Sequence, residues 1–158
     1  MARTVKPIPR GYHTLTPALV VRDCAAAIEF YRKALGAEER SRVPGPDGKI
    51  MHAELVIGDS TLILADENPS MGAYAPRGDT RVPLTLNVYT DDARRVWQRA
   101  KAAGVDVQME LAEQFWGDLY GTFVDPYGFQ WAIGQRVKDL TRDQIAKAQD
   151  AFFASQKA

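Results

Sequence analysis

The chain says the same thing twice. Asp23 precedes "CAAAIEFYRKAL" and Gly36 follows it; Asp91-Asp92 precede "ARRVWQRAKAA" and Gly104 follows. The interval from Asp23 to Gly36 equals that from Asp91 to Gly104, so both landmarks are displaced by 68 residues. Self-similarity at a fixed period constrains a fold more than any single propensity, because each copy must build the same supersecondary unit. In each copy an acidic N-cap and a C-terminal glycine bracket a helix. Ile28, Tyr31 and Leu35 recur at helical spacing in the first, and Val96, Ala100 and Ala103 in the second.

Strand-like segments flank each helix: 15–21, 38–43, 50–57 and 61–65 in the first half, then "VPLTLNVY", 105–111, 118–124 and 129–133 in the second. The turn "DPYG" at 125–128 joins the last two strands, and "GDS" at 58–60 is its counterpart. The reading is an α+β chain of two βαβββ units, residues 12–66 and 83–137, joined by a Gly- and Pro-rich linker at 67–82. In the tail, 138–158, Thr141 and Gln144 form a capping-box signature ahead of Ile145, Ala148 and Phe152 on one helix face.

Composition excludes several function classes. Lys+Arg and Asp+Glu both number 20, so the basic surplus that phosphate contacts require is missing and no nucleic-acid partner is expected. The single cysteine, Cys24, forms no internal disulfide and fits a reducing compartment. At a helix start it is read as a small packed residue, with a thiol activated by the helix N-terminus as the alternative. "MARTVKPIPRGYH" lacks a signal-peptide core and no apolar run reaches membrane-spanning length. The expectation is a cytoplasmic protein without a membrane partner.

Strand alternation sorts the polar residues. In "IMHAELVI", Met51, Ala53, Leu55 and Ile57 form the helix-facing set, leaving His52 and Glu54 on the other face. By the same parity Leu15, Leu19 and Val21 face the helix and Thr14, Thr16, Ala18 and Val20 face away. In the second unit Leu84, Leu86 and Val88 face the helix, opposite Pro83, Thr85, Asn87 and Tyr89. The offset carries His52 to Tyr120 and Glu54 to Thr122, and Gln130 and Ala132 point away from Phe129, Trp131 and Ile133. One polar set results: Thr16, His52, Glu54, Thr85, Asn87, Tyr120 and Gln130. Phe115-Trp116 falls between two strands, where adjacent exposed aromatics fit ligand stacking or a dimer contact, and equally a loop anchored in its own core. Trp97 and Trp131 are read as packing.

The duplicated unit, Phe30-Tyr31 on the first helix and the DPxG turn resemble the vicinal oxygen chelate superfamily, which includes glyoxalase I, extradiol dioxygenases and bleomycin- and fosfomycin-resistance proteins. "AIEFYRKALGAEE", "MHAELVIGDSTLILADE" and "FWGDLYGTFVDPYGFQWAI" resemble its PhnB-like branch. The resemblance runs from about Tyr12 to Lys138. It implies that each unit curls half of a cup around a ligand site, with helices outside, and that the protein is a homodimer.

Metal-dependent members of that family hold a divalent ion through the first and fourth strands of each unit. The matching positions are Thr16, Pro83, Ile63 or Leu64, and Ala132, which supply no N/O donor set of the kind such ions need. No metal or other cofactor is therefore expected, with a displaced ion at His52 and Glu54 as the alternative. Three readings of His52 and Glu54 stand side by side: a structural pair, recognition of a small organic ligand with Trp116 among the ligand-binding residues, and acid–base catalysis in which burial raises the glutamate pKa. The functions that follow are a metal-free binding protein, a glyoxalase-like lyase, isomerase or dioxygenase, and a dimeric scaffold with a vestigial cup.

Overall fold

The computed structural model describes residues 5–78 and 81–156, so residues 1–4, linker residues 79 and 80, and the last two residues of the tail lie outside the described residues. The chain divides between residues 80 and 81 into two compact units.

The first unit runs β1 (Ala18–Val21), α1 (Cys24–Leu35), β2 (Glu38–Pro44), β3 (Ile50–Ile57) and β4 (Ser60–Asp66). Its sheet has the order β1-β4-β3-β2, with β1 parallel to β4 and the other pairs antiparallel. Asp23 caps α1 by accepting the Ala26 N–H at 3.0 Å, and Gly36 ends it at φ 70°, a conformation that costs glycine little. Cys24, Ala27, Ile28, Tyr31, Ala34 and Leu35 are buried on the sheet-facing side of α1. They meet Leu19, Val21, Ala53, Leu55, Leu62 and Leu64, so one face of the sheet is committed to the core.

Beyond β4, Glu67 N–H bonds the Val21 carbonyl at 2.8 Å, a single 3₁₀ turn forms at Pro69–Met71, and Arg22 donates to the Pro76 carbonyl at 3.1 Å. The segment read as linker is thus partly folded onto the first unit.

The second unit repeats the plan: β5 (Thr85–Tyr89), α2 (Ala93–Ala102), β6 (Asp106–Glu113), β7 (Asp118–Val124) and β8 (Gln130–Arg136), in the order β5-β8-β7-β6. Asp92, not Asp91, caps α2. The buried stripe of α2 is Ala93, Trp97 and Ala100, with Val96 and Ala103 only half-buried, a rotation of the stripe read from the sequence. Asp125 organises the DPYG turn: one carboxylate oxygen accepts the Tyr127 and Phe129 N–H groups, each at 2.9 Å, and the other accepts the Trp131 indole N–H at 2.8 Å. A last helix, α3 (Arg142–Ser155), begins at Thr141 with both bonds of the capping box and has no buried residue.

Register refines the repeat. Glu54 and Thr122 correspond with an offset of 68, but Ala18 pairs with Ile63 as Asn87 pairs with Ala132, an offset of 69. Three expectations of side-chain direction fail at strand ends. Leu15 is 87% exposed, because β1 starts only after Pro17, and Leu84, also exposed, precedes β5. Met51 is 53% exposed, because the β3–β4 ladder begins at Ala53 and leaves it overhanging. Parity holds only where a ladder enforces the pleat.

Candidate functional site

Each unit leaves one sheet face free of its helix, and residues directly opposite across a ladder share a face. In the first unit Ser41, Glu54, Ile63 and Ala18 form one such row, with Val43 and His52 in the next. His52 and Glu54 therefore do point the same way. The register also identifies Ile63, not Leu64, as the fourth-strand residue on this face.

Glu54 is the hub. Its Oε1 accepts the Tyr12 hydroxyl at 2.5 Å and lies 3.3 Å from His52 Nε2; its Oε2 lies 3.5 Å from Arg40 Nη1. The same Arg40 nitrogen donates to Thr61 Oγ1 at 3.2 Å, and the Thr61 hydroxyl donates to the Gly11 carbonyl at 2.7 Å. The Glu54 side chain is 18% exposed, those of His52 and Arg40 40% and 38%. The carboxyl titrates below the ordinary range, chiefly because of the Tyr12 hydrogen bond, with further help from His52 and Arg40 against the cost of burial. The same bond raises the Tyr12 phenol. The expectation that burial lifts the Glu54 pKa toward neutrality is thus corrected: the donors outweigh desolvation, and the group is a fixed anion.

Tyr12, Arg40 and Thr61 were not legible as partners. Tyr12 precedes the first strand. Arg40 sits in the register shift between Glu39 and Ser41, and this bulge turns its guanidinium onto the open face. Thr16, in contrast, is not brought to the cluster. It lies ahead of β1 in a local turn, accepting from His13 N–H at 3.3 Å and donating to the His13 carbonyl at 2.9 Å.

In the second unit Asn87, Tyr89, Tyr120 and Asp118 share the open face. Tyr120 donates to Asn87 Oδ1 at 3.3 Å and Tyr89 to Asp118 Oδ2 at 2.8 Å, which raises the Tyr89 phenol. A Cβ at Gly134 would stand 3.1 Å from the Tyr89 ring, so the glycine lets that ring lie across β8. Thr85 and Gln130 are cross-strand partners at the other end of the same face. Trp116 packs edge-on against Tyr120 with centroids 5.6 Å apart. Phe115 meets Trp116 at 5.0 Å and Phe152 of α3 at 5.2 Å, so this aromatic pair is half-buried and anchored within its own unit, not exposed. Trp97 and Trp131 are core residues.

The donor set does not fit the divalent ion that metal-dependent family members hold. The Thr16 hydroxyl is engaged with His13, Ile63 and Ala132 are apolar, and Pro83 precedes β5. Register makes Thr85 the counterpart of Thr16, and a second hydroxyl is no stronger a ligand. Among the described residues no three His, Cys, Asp or Glu are grouped so as to hold an ion. Cys24 is buried, and burial, aided by Asp66, pushes its thiol up to about 12, which removes the activated-thiol alternative.

Comparison with known proteins agrees with this architecture. An uncharacterised protein of Mycobacterium bovis is 42% identical over 151 residues, covering 94% of this chain and 95% of its own. TioX from a Micromonospora species superposes with a TM-score of 0.64 at 22% identity, over 78% of this chain and 98% of its own. The fosfomycin resistance protein FosX of Listeria monocytogenes, crystallised with Mn(II) and sulfate, has a TM-score of 0.61 at 14% identity, over 85% of this chain and 95% of its own. These structures share the fold alone. A family model matches residues 12–133, and the chain belongs to the glyoxalase/bleomycin resistance protein/dioxygenase superfamily.

Proposed function

We propose that this chain binds a small organic molecule on an open sheet face and does so without a metal ion. One observation carries the reading. Glu54, on a sheet face the core does not use, is kept ionised by three donors, of which His52 and Arg40 sit at long range and stay partly exposed. A fixed carboxylate flanked by an imidazole and a guanidinium orients a ligand that both donates and accepts hydrogen bonds. On the second unit Trp116 and Tyr120 offer ring surface beside the Asn87 amide, the mixture of apolar wall and few polar groups usual in ligand sites. The unsuitable donor positions support the metal-free part of the reading. Membership of the PhnB-like branch, and a homodimer, belong to the same proposal on the strength of the family resemblance.

The test is a thermal-shift screen of small polar organics with and without chelator, run on the wild type and on Glu54→Gln. A ligand at 100 times its Kd stabilises by about 2.7 kcal/mol, which for a chain of this size raises the midpoint by about 5–10 °C. The proposal expects such a shift in the wild type with chelator present, reduced in Glu54→Gln. No stabilising compound, or stabilisation abolished by chelator, contradicts it.

A second reading rests on the His52–Glu54 contact. An ionised Glu54 accepts from His52 Nε2–H, which leaves Nδ1 as the basic nitrogen. Any acid–base chemistry here therefore falls to His52, with Glu54 orienting it. This reading requires His52→Gln to abolish turnover of a bound compound while its binding persists.

A further inference from the structure

Residues 5–16 precede the first strand, and their ties to the first unit are few. Residues 5–11 are all exposed, and within the arm Tyr12 N–H bonds only the Pro9 carbonyl. The first backbone bond from this part of the chain to the sheet comes at Pro17, whose carbonyl accepts the Ile63 N–H at 3.0 Å. Ahead of that point two side-chain bonds fasten the arm: Tyr12 hydroxyl to Glu54 at 2.5 Å, and Thr61 hydroxyl to the Gly11 carbonyl at 2.7 Å. Gly11 itself lies against the Arg40 guanidinium with φ +85°, and a Cβ there would stand 2.6 Å from Nη2. Both bonds end on the cluster that holds Glu54.

We infer that residues 5–16 form a strap that opens and closes over the Glu54 cluster, with Tyr12 as its latch. Closed, the phenol occupies the carboxylate oxygen that a ligand hydroxyl or amine would take. Open, it frees that oxygen and the Thr61 hydroxyl and uncovers the Arg40 guanidinium. This inference rests on the reading of Glu54 as a ligand-binding group. The strap carries no core residue, so it releases without unfolding the sheet, at the low-stability end of the molecule's opening motions. Gly11 permits the close approach, because any side chain would meet Arg40 and would have to adopt a left-handed backbone.

Trypsin reports the opening directly. Arg10 is exposed and followed by Gly11, whereas Lys6 is followed by Pro7 and resists cleavage. Protease needs several residues extended, so cutting at Arg10–Gly11 follows the open population when closing is fast. The wild type, Tyr12→Phe and Gly11→Ala are digested without ligand, the chain beginning at Gly11 is followed by mass, and each protein is melted in parallel. Losing a hydrogen bond to a charged group raises the open fraction by at least about tenfold. The expected result is cutting at least about tenfold faster in Tyr12→Phe, and faster also in Gly11→Ala, at temperatures well below the melt of each protein. Cutting at the wild-type rate in both variants overturns the strap, and so does wild-type cutting that starts only where the protein melts. No ligand enters the digest, so a failed strap leaves the binding reading standing. A failed ligand screen beside fast cutting of Tyr12→Phe removes the binding reading and leaves the motion.

Discussion

Replacing Glu54 with Gln removes one charge and little volume, and its cost follows from the three contacts. A hydrogen bond to a charged group contributes about 1.5–3 kcal/mol and a neutral one about 0.5–1.5. The 2.5 Å bond from Tyr12 therefore loses about 1 kcal/mol when its acceptor becomes an amide. The contacts to His52 at 3.3 Å and Arg40 at 3.5 Å are long and partly exposed, and together they add about 0–1 kcal/mol. A loss of about 1–2 kcal/mol lowers the midpoint of a chain this size by about 2–8 °C at pH 7. The pH dependence has a definite sign. The folded pKa of Glu54 lies below the unfolded value of about 4.3, so its contribution is complete above that value and disappears as pH falls through the folded pKa. Calorimetric melts of both proteins from pH 7 down to about 3 should show a gap that is constant near neutrality and closes in acid. A gap that persists unchanged in acid, or a variant as stable as the wild type at pH 7, contradicts a stabilising role for the ionised Glu54.

Two further outcomes test the fold and the thiol. Gly121→Ala places a Cβ 2.8 Å from the Leu111 backbone and 2.9 Å from the Trp97 ring; since backbone cannot swing aside, a loss of about 3 kcal/mol is expected in denaturant melts. Cys24, buried and with its thiol pushed up to about 12, should resist iodoacetamide at pH 8 in the native protein and react only on unfolding, a difference of about 100-fold or more followed by mass.

The parts of the fold that were legible are those where local chemistry and long-range packing agree. Asp23 and Gly36 bound α1 as the caps require, and the alternation of Ala53 and Leu55 against His52 and Glu54 holds because β3 is laddered on both sides at Glu54. Legibility ends where the ladder ends. Leu15, Thr16 and Leu84 lie beyond paired backbone, and Met51 sits at the β2–β3 register shift with no partner on β4, so period-two reasoning assigned them a face that no regular ladder enforces. The site was half legible for a related reason. Residues on one strand or in one register, such as Asn87 and Tyr120, follow from parity. Arg40 reaches Glu54 through a bulge, and Tyr12 through an arm outside the sheet, and neither leaves a periodic trace. Asp118 shares the parity of Tyr120, and extending the face by one more residue along β7 identifies it.

We propose that this member of the superfamily lacks a usable donor set at the family's metal positions and binds organic ligands on an open sheet face. Elemental analysis of the purified, untagged protein tests it most directly, joined to melts with chelator and with Zn, Ni, Mn, Fe and Co added back. No stoichiometric metal and no change of midpoint under either treatment are expected. Near-stoichiometric metal whose removal lowers the midpoint would contradict it, and would make His52 and Glu54 the leading ligands.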